Sequence, residues 1–318
     1  MTGEHLISVD ICVCTFRRPF LAETLRSIAN LRPSGLAVRV IVADNDAVPS
    51  AQPLVELMGR RMPFPLLYLH APMSNISVAR NACLDAATAD FVAFVDDDET
   101  VSESWLAELV HTAATTDADV VLGPVEAEYD TAGPRWLAGG DFHSTAPVRV
   151  NGEILTGYTC NVLIRRRGPI VAQRFDLTLG QSGGEDTDYF YRLHELGARI
   201  AEAPAAFVRE PVPPSRATLG WLLRRRFRSG QTHGARLRRT SRQPWAAPVA
   251  SASAKILCCA AMTVATMLSP VGWRRNLLRS ALHVGTLAGL AGARQAALYG
   301  DGNGTRRSIP APTATAVN

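Results

Sequence analysis

The chain lacks several patterns by which common classes of protein are recognised. Its six cysteines form no CxxC pair, so neither a zinc ribbon nor a dithiol redox site is expected. No GxGxxG or Walker sequence follows the first apolar strand, which disfavours the usual dinucleotide and P-loop sites. The N-terminus has neither a basic segment nor a long apolar one, so we expect no secretory signal, and thiols that stay reduced in the cytoplasm.

Charge and hydropathy change towards the C-terminus. The 318 residues carry a formal net charge of +4, yet residues 224–242 hold eight arginines and no acidic residue. Residues 256–273 and 277–293 are largely apolar, although each is marginal against the roughly 20 apolar residues of a membrane span. We therefore expect a helical, membrane-associated region over 236–299 at the inner face of the cell membrane; an ordinary helical subdomain is the alternative. The tail, 300–318, is expected to be disordered.

Short apolar strands alternate with amphipathic helices over the first 125 residues, which predicts an α/β fold with a mostly parallel sheet. Glycine and proline then break the pattern, and this second half is expected to shape the site of a second substrate. Strands are expected at 7–14, 38–43, 66–70, 91–95, 119–125 and 158–164, and helices at 20–30, 53–61, 77–87, 102–111 and 185–196.

The run Phe91-Val-Ala-Phe-Val-Asp-Asp-Asp98 ends an apolar strand in three consecutive carboxylates. Ligands of open α/β sheets bind at the carboxyl ends of such strands. Carboxylates so close repel one another, and clustered oxygen ligands suit hard ions such as Mg²⁺ or Mn²⁺. Asp96, Asp97 and Asp98 therefore predict a metal-bound phosphate substrate. The alternative is an acidic turn that caps a helix beginning near Ser102.

Polar residues also follow the first three predicted strands, where a nucleotide could use them. Thr15 and Arg17 follow the first strand, Asp44 ends the second, and Arg80 lies in the first turn of the helix after the third. A carboxylate such as Asp44 can accept hydrogen bonds from a base or a ribose hydroxyl, and arginines can hold diphosphate. Alternatively, Asp44 caps a turn, and both arginines are solvated surface cations.

A second group of carboxylates begins the helix predicted at 185–196. Asp186 precedes two apolar residues at the spacing of one helix face, so it is expected on the side that packs on the sheet. A carboxylate held there can take a proton from an incoming hydroxyl. Glu185 is a second catalytic candidate, although Ser182 and Glu185 also fit a capping box with a structural role. Asp188 is expected to be solvated.

In their order along residues 7–230, these motifs resemble the inverting family 2 glycosyltransferases, of the nonprocessive type that makes exopolysaccharides and cell-surface glycans. The resemblance implies a nucleotide-sugar-binding GT-A domain over 1–235. Five segments carry the resemblance. Cys14-Thr-Phe-Arg17 is similar to the family's first nucleotide loop, Val42-Ala-Asp44 to its uracil-contacting aspartate, and Asn75 to Asn81 to the segment before its metal-binding strand. Asp96-Asp97-Asp98 is similar to its metal-binding motif, and Gly184-Glu185-Asp186 to the motif of its catalytic base.

The resemblance also implies roles for these residues. Asp98 would bind Mg²⁺ or Mn²⁺ at the donor's diphosphate, with Asp96 as a second ligand, and Asp96 and Asp97 would assist with the sugar and ribose. Asp186 would be the base. The expected donor is a UDP-sugar, and the expected acceptor is a glycan or a lipid-linked glycan at the cytoplasmic membrane surface.

One stretch departs from the processive members of that family. Where they carry QxxRW, this chain has a run of arginines between Trp221 and His233. Single-sugar addition is therefore favoured over polymerisation, and Arg228 is expected to clamp the diphosphate. The same arginines could instead line a membrane surface or form a solvated face. Nucleic-acid binding is not expected, because Phe227 is the one aromatic residue that lies between these arginines, and bases stack on interleaved aromatic side chains.

Two functions of other classes remain open. A nucleotidyltransferase would also combine an α/β nucleotide site with acidic metal ligands, but it typically begins with a glycine-rich basic loop, and residues 14–20 contain no glycine. The other is a noncatalytic nucleotide-sugar-binding scaffold in a membrane assembly. The presence of both acidic motifs argues against a pure binder.

Overall fold

A computed structural model of the chain describes residues 6–33, 35–240 and 246–293. The strands are β1 (Ile7–Thr15), β2 (Leu36–Asp44), β3 (Leu66–His70), β4 (Phe91–Asp96), β5 (Thr100–Val101), β6 (Val120–Leu122), β7 (Val125–Glu128), β8 (Arg149–Val150), β9 (Glu153–Ile154), β10 (Asn161–Arg165), β11 (Ile200–Glu202) and β12 (Val208–Pro211). The helices are α1 (Leu21–Ala29), α2 (Gln52–Gly59), α3 (Ile76–Ala86), α4 (Trp105–Thr116), α5 (Arg135–Gly140), α6 (Glu185–Glu195), α7 (Leu219–Thr240), α8 (Ala246–Ala265) and α9 (Gly272–Leu290).

The main sheet has seven strands in the order β11-β6-β10-β4-β1-β2-β3. All neighbours are parallel except β10, which is antiparallel to both β4 and β6. The mostly parallel sheet with flanking helices is therefore confirmed. The expected strands and helices of the first half are also present, with ends that shift by a few residues.

Both faces of the sheet are covered, which explains why the central strands are apolar throughout. Alternate residues of β1 point to opposite faces. Val9, Ile11 and Val13 pack with α1 and α4 on one side. Cys12 packs with α3 and α6 on the other side. This two-sided burial places the polar residues at the strand ends, where the apolar layers stop.

The strand predicted at 119–125 is wrong as a single element. Its first part is β6 in the main sheet, and its last residue begins β7, which pairs with β12 in a separate three-stranded sheet of order β5-β12-β7. Gly123 and Pro124 separate the two strands. Proline has no N–H to donate to a ladder, and a side chain on Gly123 would clash with the carbonyl oxygen of Ala206.

Three further differences concern local structure. Helix α4 begins at Trp105 after Ser104, whereas the Ser102 hydroxyl is buried and neither accepts nor donates a hydrogen bond. The acidic run is therefore not the cap of this helix. Helix α5 and the β8–β9 hairpin lie in the half that was predicted to be mostly loops, because short elements held by tertiary contacts leave little periodicity in a sequence.

Helices α7 and α9 pack backbone against backbone. Gly230 and Gly234 of α7 face Gly285 and Gly289 of α9, and a side chain on Gly230 would clash with the carbonyl oxygen of Leu282. Pairs of small residues four apart let two helices approach this closely. The boundary predicted at residue 235 falls inside α7, which packs on α9.

Helix α8 presents apolar side chains outwards. Within the described ranges it is the one helix that is long and apolar enough to cross a membrane. Its most apolar 18 residues have a mean hydropathy of 1.5, and 6% of this stretch is buried. The second predicted apolar stretch, 277–293, lies mostly in α9 and packs on α7 instead. The C-terminal helices, one of them apolar, are thus compatible with membrane association. The predicted disordered tail, 300–318, lies outside the described residues.

Candidate active site

The ends of three neighbouring strands form one edge of the main sheet. Thr15 of β1 is in register with Asp44 of β2, and Cys14 of β1 is in register with Asp96 of β4. The parallel pairing therefore brings together the polar residues that follow the first, second and fourth strands. The sequence predicted this meeting, because parallel strands place their carboxyl ends at the same edge.

The acidic run is held by contacts from both halves of the chain. Thr15 Oγ1 donates a 2.7 Å hydrogen bond to Asp97 Oδ2. Arg18 Nη2 and Arg216 Nη2 lie 3.3 Å and 3.7 Å from Asp98 Oδ2. Side-chain exposure is 18% for Asp98, so this carboxylate remains open to solvent. Asp98 is thus the member of the run that is best placed to meet a ligand.

The other two carboxylates of the run, Asp96 and Asp97, have pKa values well above the ordinary value of an aspartate. Burial raises the pKa of Asp96 to about 6, and Asp98 adds to the shift while Arg80 opposes it. Burial likewise raises the pKa of Asp97 to about 7, against the hydrogen bond from Thr15. Buried carboxylates with raised pKa values are typical of functional sites, because a bound cation would restore their charged form.

Two glutamates belong to the same cluster and were missed. Glu99 Oε2 accepts a 3.0 Å hydrogen bond from the Asp96 amide, and burial raises the pKa of Glu99 well above its usual range. Burial also raises the pKa of Glu210 on β12, with a contribution from Asp98. Glu99 directly follows the acidic run, so adjacency could have identified it. Glu210 lies far along the chain, and no motif marks it.

Asp44 is fully buried and makes three hydrogen bonds within the protein. Its Oδ1 accepts from the Asp46 amide at 3.0 Å, and its Oδ2 accepts from the Ala51 amide at 2.8 Å and the Tyr68 hydroxyl at 2.9 Å. Arg17 pairs with Asp46 through two 2.8 Å hydrogen bonds, which lower the pKa of Asp46 to about 2. In this structure Asp44 holds the turn after β2 through these hydrogen bonds, and its contact with a nucleotide stays a prediction.

The polar residues of segment 75–81, which includes the start of helix α3, contact residues 175–180, the stretch that precedes the second acidic motif. Asn75 caps the helix by accepting from the Ser77 amide at 3.0 Å, and its Nδ2 donates to the Leu177 carbonyl at 2.9 Å. Asn81 exchanges two hydrogen bonds with the Phe175 backbone, at 2.8 Å and 2.9 Å. The polar residues of this segment therefore position residues 175–180 rather than reaching into solvent.

Arg80 and Glu185 form a buried ion pair between α3 and α6. Arg80 Nη1 lies 2.5 Å from Glu185 Oε1, and each side chain is 8% exposed. Arg80 lies in the second turn of α3 and is not a solvated surface cation, so that alternative is wrong. The predicted capping box is also absent, because Gly184 caps α6 without a side-chain bond. The second oxygen of Glu185 is buried without a hydrogen-bond partner.

Asp186 lies beside this pair at the start of α6. Its Oδ1 accepts a 2.6 Å hydrogen bond from the Thr187 amide. Burial raises the pKa of Asp186 to about 6, and Glu185 adds to the shift while Arg80 opposes it. The charge of Asp96 also raises the pKa of Asp186, so the two acidic motifs interact electrostatically within one site.

The turn before α6 is packed against α7. Arg228 Nη2 donates a hydrogen bond to the Ser182 carbonyl, and its guanidinium fills the space in which a side chain on Gly183 would lie. Gly183 and Gly184 both have positive φ, at 82° and 91°, a region that favours glycine. Arg228 is therefore placed at this turn. Asp188 was expected to be solvated, and that prediction is wrong. Its carboxylate pairs with Arg192 at 3.0 Å and with Arg239 at 3.3 Å.

The oxygen ligands at the strand edge have the chemistry that a hard divalent ion prefers. Within residues 6–33, 35–240 and 246–293, no three histidine, cysteine or acidic side chains are grouped closely enough to hold a metal by themselves. Mg²⁺ is usually bound through one or two carboxylates together with substrate phosphates. The open carboxylate of Asp98, next to Asp96, fits that mode of binding.

Comparisons with known proteins agree with this arrangement. Residues 10–168 match the family model described as Glycosyl transferase family 2. The Succinoglycan biosynthesis protein ExoM of Rhizobium meliloti (strain 1021) is 54% identical over 304 residues, which cover 93% of this chain and 97% of that protein. The Pre-mycofactocin glycosyltransferase of Mycobacterium tuberculosis is 31% identical over 217 residues, or 64% of this chain and 43% of that protein.

The fold is also found among solved structures. The mannosyltransferase PcManGT from Pyrobaculum calidifontis, solved in complex with GDP-Man and Mn²⁺, superposes with a TM-score of 0.61 at 18% identity, covering 89% of this chain and 86% of that chain. The expected GT-A architecture is thereby confirmed. With the family match extending over residues 10–168 and a relative that is 54% identical, the chain belongs to glycosyl transferase family 2.

Proposed function

We propose that this glycosyltransferase moves one sugar from a nucleotide-diphosphate sugar, a UDP-sugar in the first instance, to an acceptor hydroxyl with inversion at the anomeric carbon. The observation that supports this most is the position of Arg80. Burial alone would lower its pKa, but the charges of Glu185, Asp96 and Asp186 outweigh that effect and raise it. One guanidinium thus couples the acidic run at the sheet edge to the candidate base on α6.

Each group in the site has a separate task in the proposed reaction. Asp186 removes the proton of the acceptor hydroxyl as that oxygen attacks the anomeric carbon from the face opposite the nucleotide. Asp98, with Asp96, would hold a divalent ion, and such an ion would supply positive charge to stabilise the leaving diphosphate. Thr15 keeps Asp97 oriented beneath the donor. Glu185 is assigned a positioning role, because its carboxylate is buried against Arg80.

The acceptor is proposed from the relatives and from the C-terminal helices. The Rhizobium meliloti relative takes its name from succinoglycan biosynthesis, so we place this chain in the synthesis of an exopolysaccharide. The exposed apolar face of α8 and the arginines of α7 suit attachment to the inner face of the cell membrane. A lipid-linked glycan presented at that surface is therefore the proposed acceptor.

Donor binding tests this function directly. Nucleotide sugars are screened for a rise in melting temperature with Mg²⁺ or Mn²⁺ present; a donor at about 100 times its Kd stabilises the fold by about 2.7 kcal/mol. Asp98→Asn is expected to remove most of the metal-dependent part of this rise. Asp85→Asn, at an exposed carboxylate paired with Arg174, serves as the charge-matched control and is expected to leave it unchanged.

The products distinguish the other two functions. A glycosyltransferase releases nucleoside diphosphate from the donor when acceptor is supplied. If a nucleoside triphosphate and a sugar phosphate are supplied instead, release of pyrophosphate would identify a nucleotidyltransferase. Stabilisation by a nucleotide sugar without release of nucleoside diphosphate would identify a noncatalytic binder. Either result contradicts the proposal.

The pH dependence of transfer is expected to follow Asp186. A base must be deprotonated to act, and the pKa of Asp186 is raised to about 6. The value of kcat/KM is expected to fall about tenfold per pH unit below this pKa and to level off above it. Because Asp96 and Asp97 titrate in the same range, the Kd of the donor is measured at each pH as well. An inflection near 3.8, the ordinary value, would contradict the assignment.

A further inference from the structure

A cavity of about 260 Å³ lies between α5, α7 and α9, apart from the acidic site. Its wall includes Arg226 of α7 and Arg275, Arg279 and His283 of α9. The three α9 residues follow one another at four-residue intervals, so they form a single column along one face of that helix. Leu278 forms part of an apolar wall beside them.

The positive charge of this cavity is not balanced by acidic partners. Within the described part of the chain, Arg226, Arg275 and Arg279 form no ion pair with an acidic side chain. Asp141 also lines the cavity, so one carboxylate, whose Oδ1 accepts a 2.6 Å hydrogen bond from the Ser144 hydroxyl, stands against three guanidinium groups. Like charges four residues apart on a helix destabilise it. An anion in the cavity would remove that repulsion.

The arginines keep most of their hydrogen-bond donors available. Arg226 Nη2 donates to the Phe142 carbonyl at 3.4 Å, and Arg275 Nη2 donates to the Gly140 carbonyl at 3.3 Å, both long contacts. A guanidinium has five N–H donors, so each retains several for another acceptor. Burial lowers the pKa of Arg226, with a further contribution from Arg225.

A separate apolar groove lies between the end of α8 and the start of α9. It has a volume of about 270 Å³ and is lined by Thr263, Val264, Met267 and Trp273. Asn276, next to Arg275 in the chain, donates to the Met262 carbonyl at 3.3 Å and so fixes the end of α8 beside α9. Several neighbouring apolar side chains are open to solvent, Leu268 being 94% exposed.

We propose that the cavity binds the phosphate of a lipid headgroup while the exposed apolar side chains near the end of α8 contact the hydrocarbon layer of the same membrane. This assignment rests on the proposed membrane attachment and gives it a specific site. Guanidinium groups match the oxygens of a phosphate, and exposed apolar side chains match a hydrocarbon layer. A free phosphate would use the cavity but would give no role to these side chains, of which Val264 is 69% and Leu268 94% exposed, so their exposure favours a lipid.

The test compares two arginines that differ in position but carry the same charge. Arg279→Gln removes a cavity arginine, and Arg224→Gln removes an exposed arginine of α7 outside the cavity. Binding of the full chain is measured by flotation with vesicles of phosphatidylcholine alone and with added phosphatidic acid. Losing one arginine near an anionic surface weakens binding about fivefold. We expect Arg279→Gln to weaken it by more than about tenfold, beyond that nonspecific effect, and Arg224→Gln to remain within it.

Three results would contradict a lipid site. Equal losses in both variants would indicate diffuse electrostatic attraction and would overturn the proposal. Inorganic phosphate is titrated into the full chain as well; binding that Arg279→Gln abolishes, with vesicle binding unchanged, would identify a site for free phosphate and overturn the lipid assignment. Absence of vesicle binding overturns both the site and the membrane attachment. Melting temperatures exclude misfolding, and release of nucleoside diphosphate in the same preparations reports separately on the proposed transfer reaction.

Discussion

Asp186→Asn is expected to lower the rate of sugar transfer by about a hundred- to ten-thousand-fold, the usual contribution of a positioned base. Asparagine keeps the size of the side chain and can still accept the 2.6 Å hydrogen bond from the Thr187 amide, so the start of α6 is expected to persist. An amide cannot remove the proton of the acceptor hydroxyl. The effect is therefore expected in kcat, while the Kd of the donor stays close to its normal value.

The neighbouring carboxylate supplies the matched control for this experiment. Asp188 lies two residues further along α6 and pairs with Arg192 and Arg239, so Asp188→Asn removes the same charge without touching the acceptor side of the site. Transfer by this variant is expected to remain within a few-fold of normal. Near-normal transfer by Asp186→Asn, measured as single-turnover nucleotide release, would show that Asp186 is not the base.

Arg80→Met is expected to lower the free energy of unfolding by about 3–5 kcal/mol, because it leaves Glu185 buried and without a counter-charge. With an unfolding entropy of about 2.1 cal/mol/K per residue, the melting temperature of this 318-residue chain would fall by roughly 4–8 °C. The cost is expected to be high because the second oxygen of Glu185 already lacks a partner. Thermal unfolding followed by circular dichroism measures the change.

A second substitution separates the lost ion pair from lost packing. In Arg80→Met/Glu185→Leu both charges are gone, and replacing a buried pair by apolar residues is often neutral or stabilising, so the double variant is expected to regain much of the stability. Arg32→Met breaks an exposed pair with Glu103 and is expected to cost less than about 1 kcal/mol. If Arg80→Met costs no more than Arg32→Met, the pair does not hold α3 to α6.

The positions of the candidate site carboxylates were largely predictable, for a local reason. A strand buried on both faces must be apolar along its length, so the polar residues after Val95 could only mark its end. Asp186 was placed at a helix start by the spacing of the apolar residues that follow it. In both cases one element of secondary structure, readable from its own residues, determines where the side chain lies.

The partners of those carboxylates were less predictable, because they come from distant parts of the chain. Arg18 and Arg216 flank Asp98, but neither belongs to a motif that would mark it as a partner. Arg80 is paired with Glu185, a partner that the sequence did not indicate, and its contact with a diphosphate stays a prediction. No periodicity indicates which buried cation meets which buried anion, since that depends on how α3 and α6 pack across the sheet.

The sequence by itself determined the alternation of strands and helices, the edge at which the acidic residues collect, and the motifs shared with the family, because each depends on residues close together in the chain. Only the tertiary structure decided that β6 and β7 enter different sheets, that Asp44 is enclosed by its own turn, and that α7 and α9 meet through glycines to form a basic cavity. These features arise from contacts between residues far apart in sequence, and such contacts are fixed by the packing of whole elements.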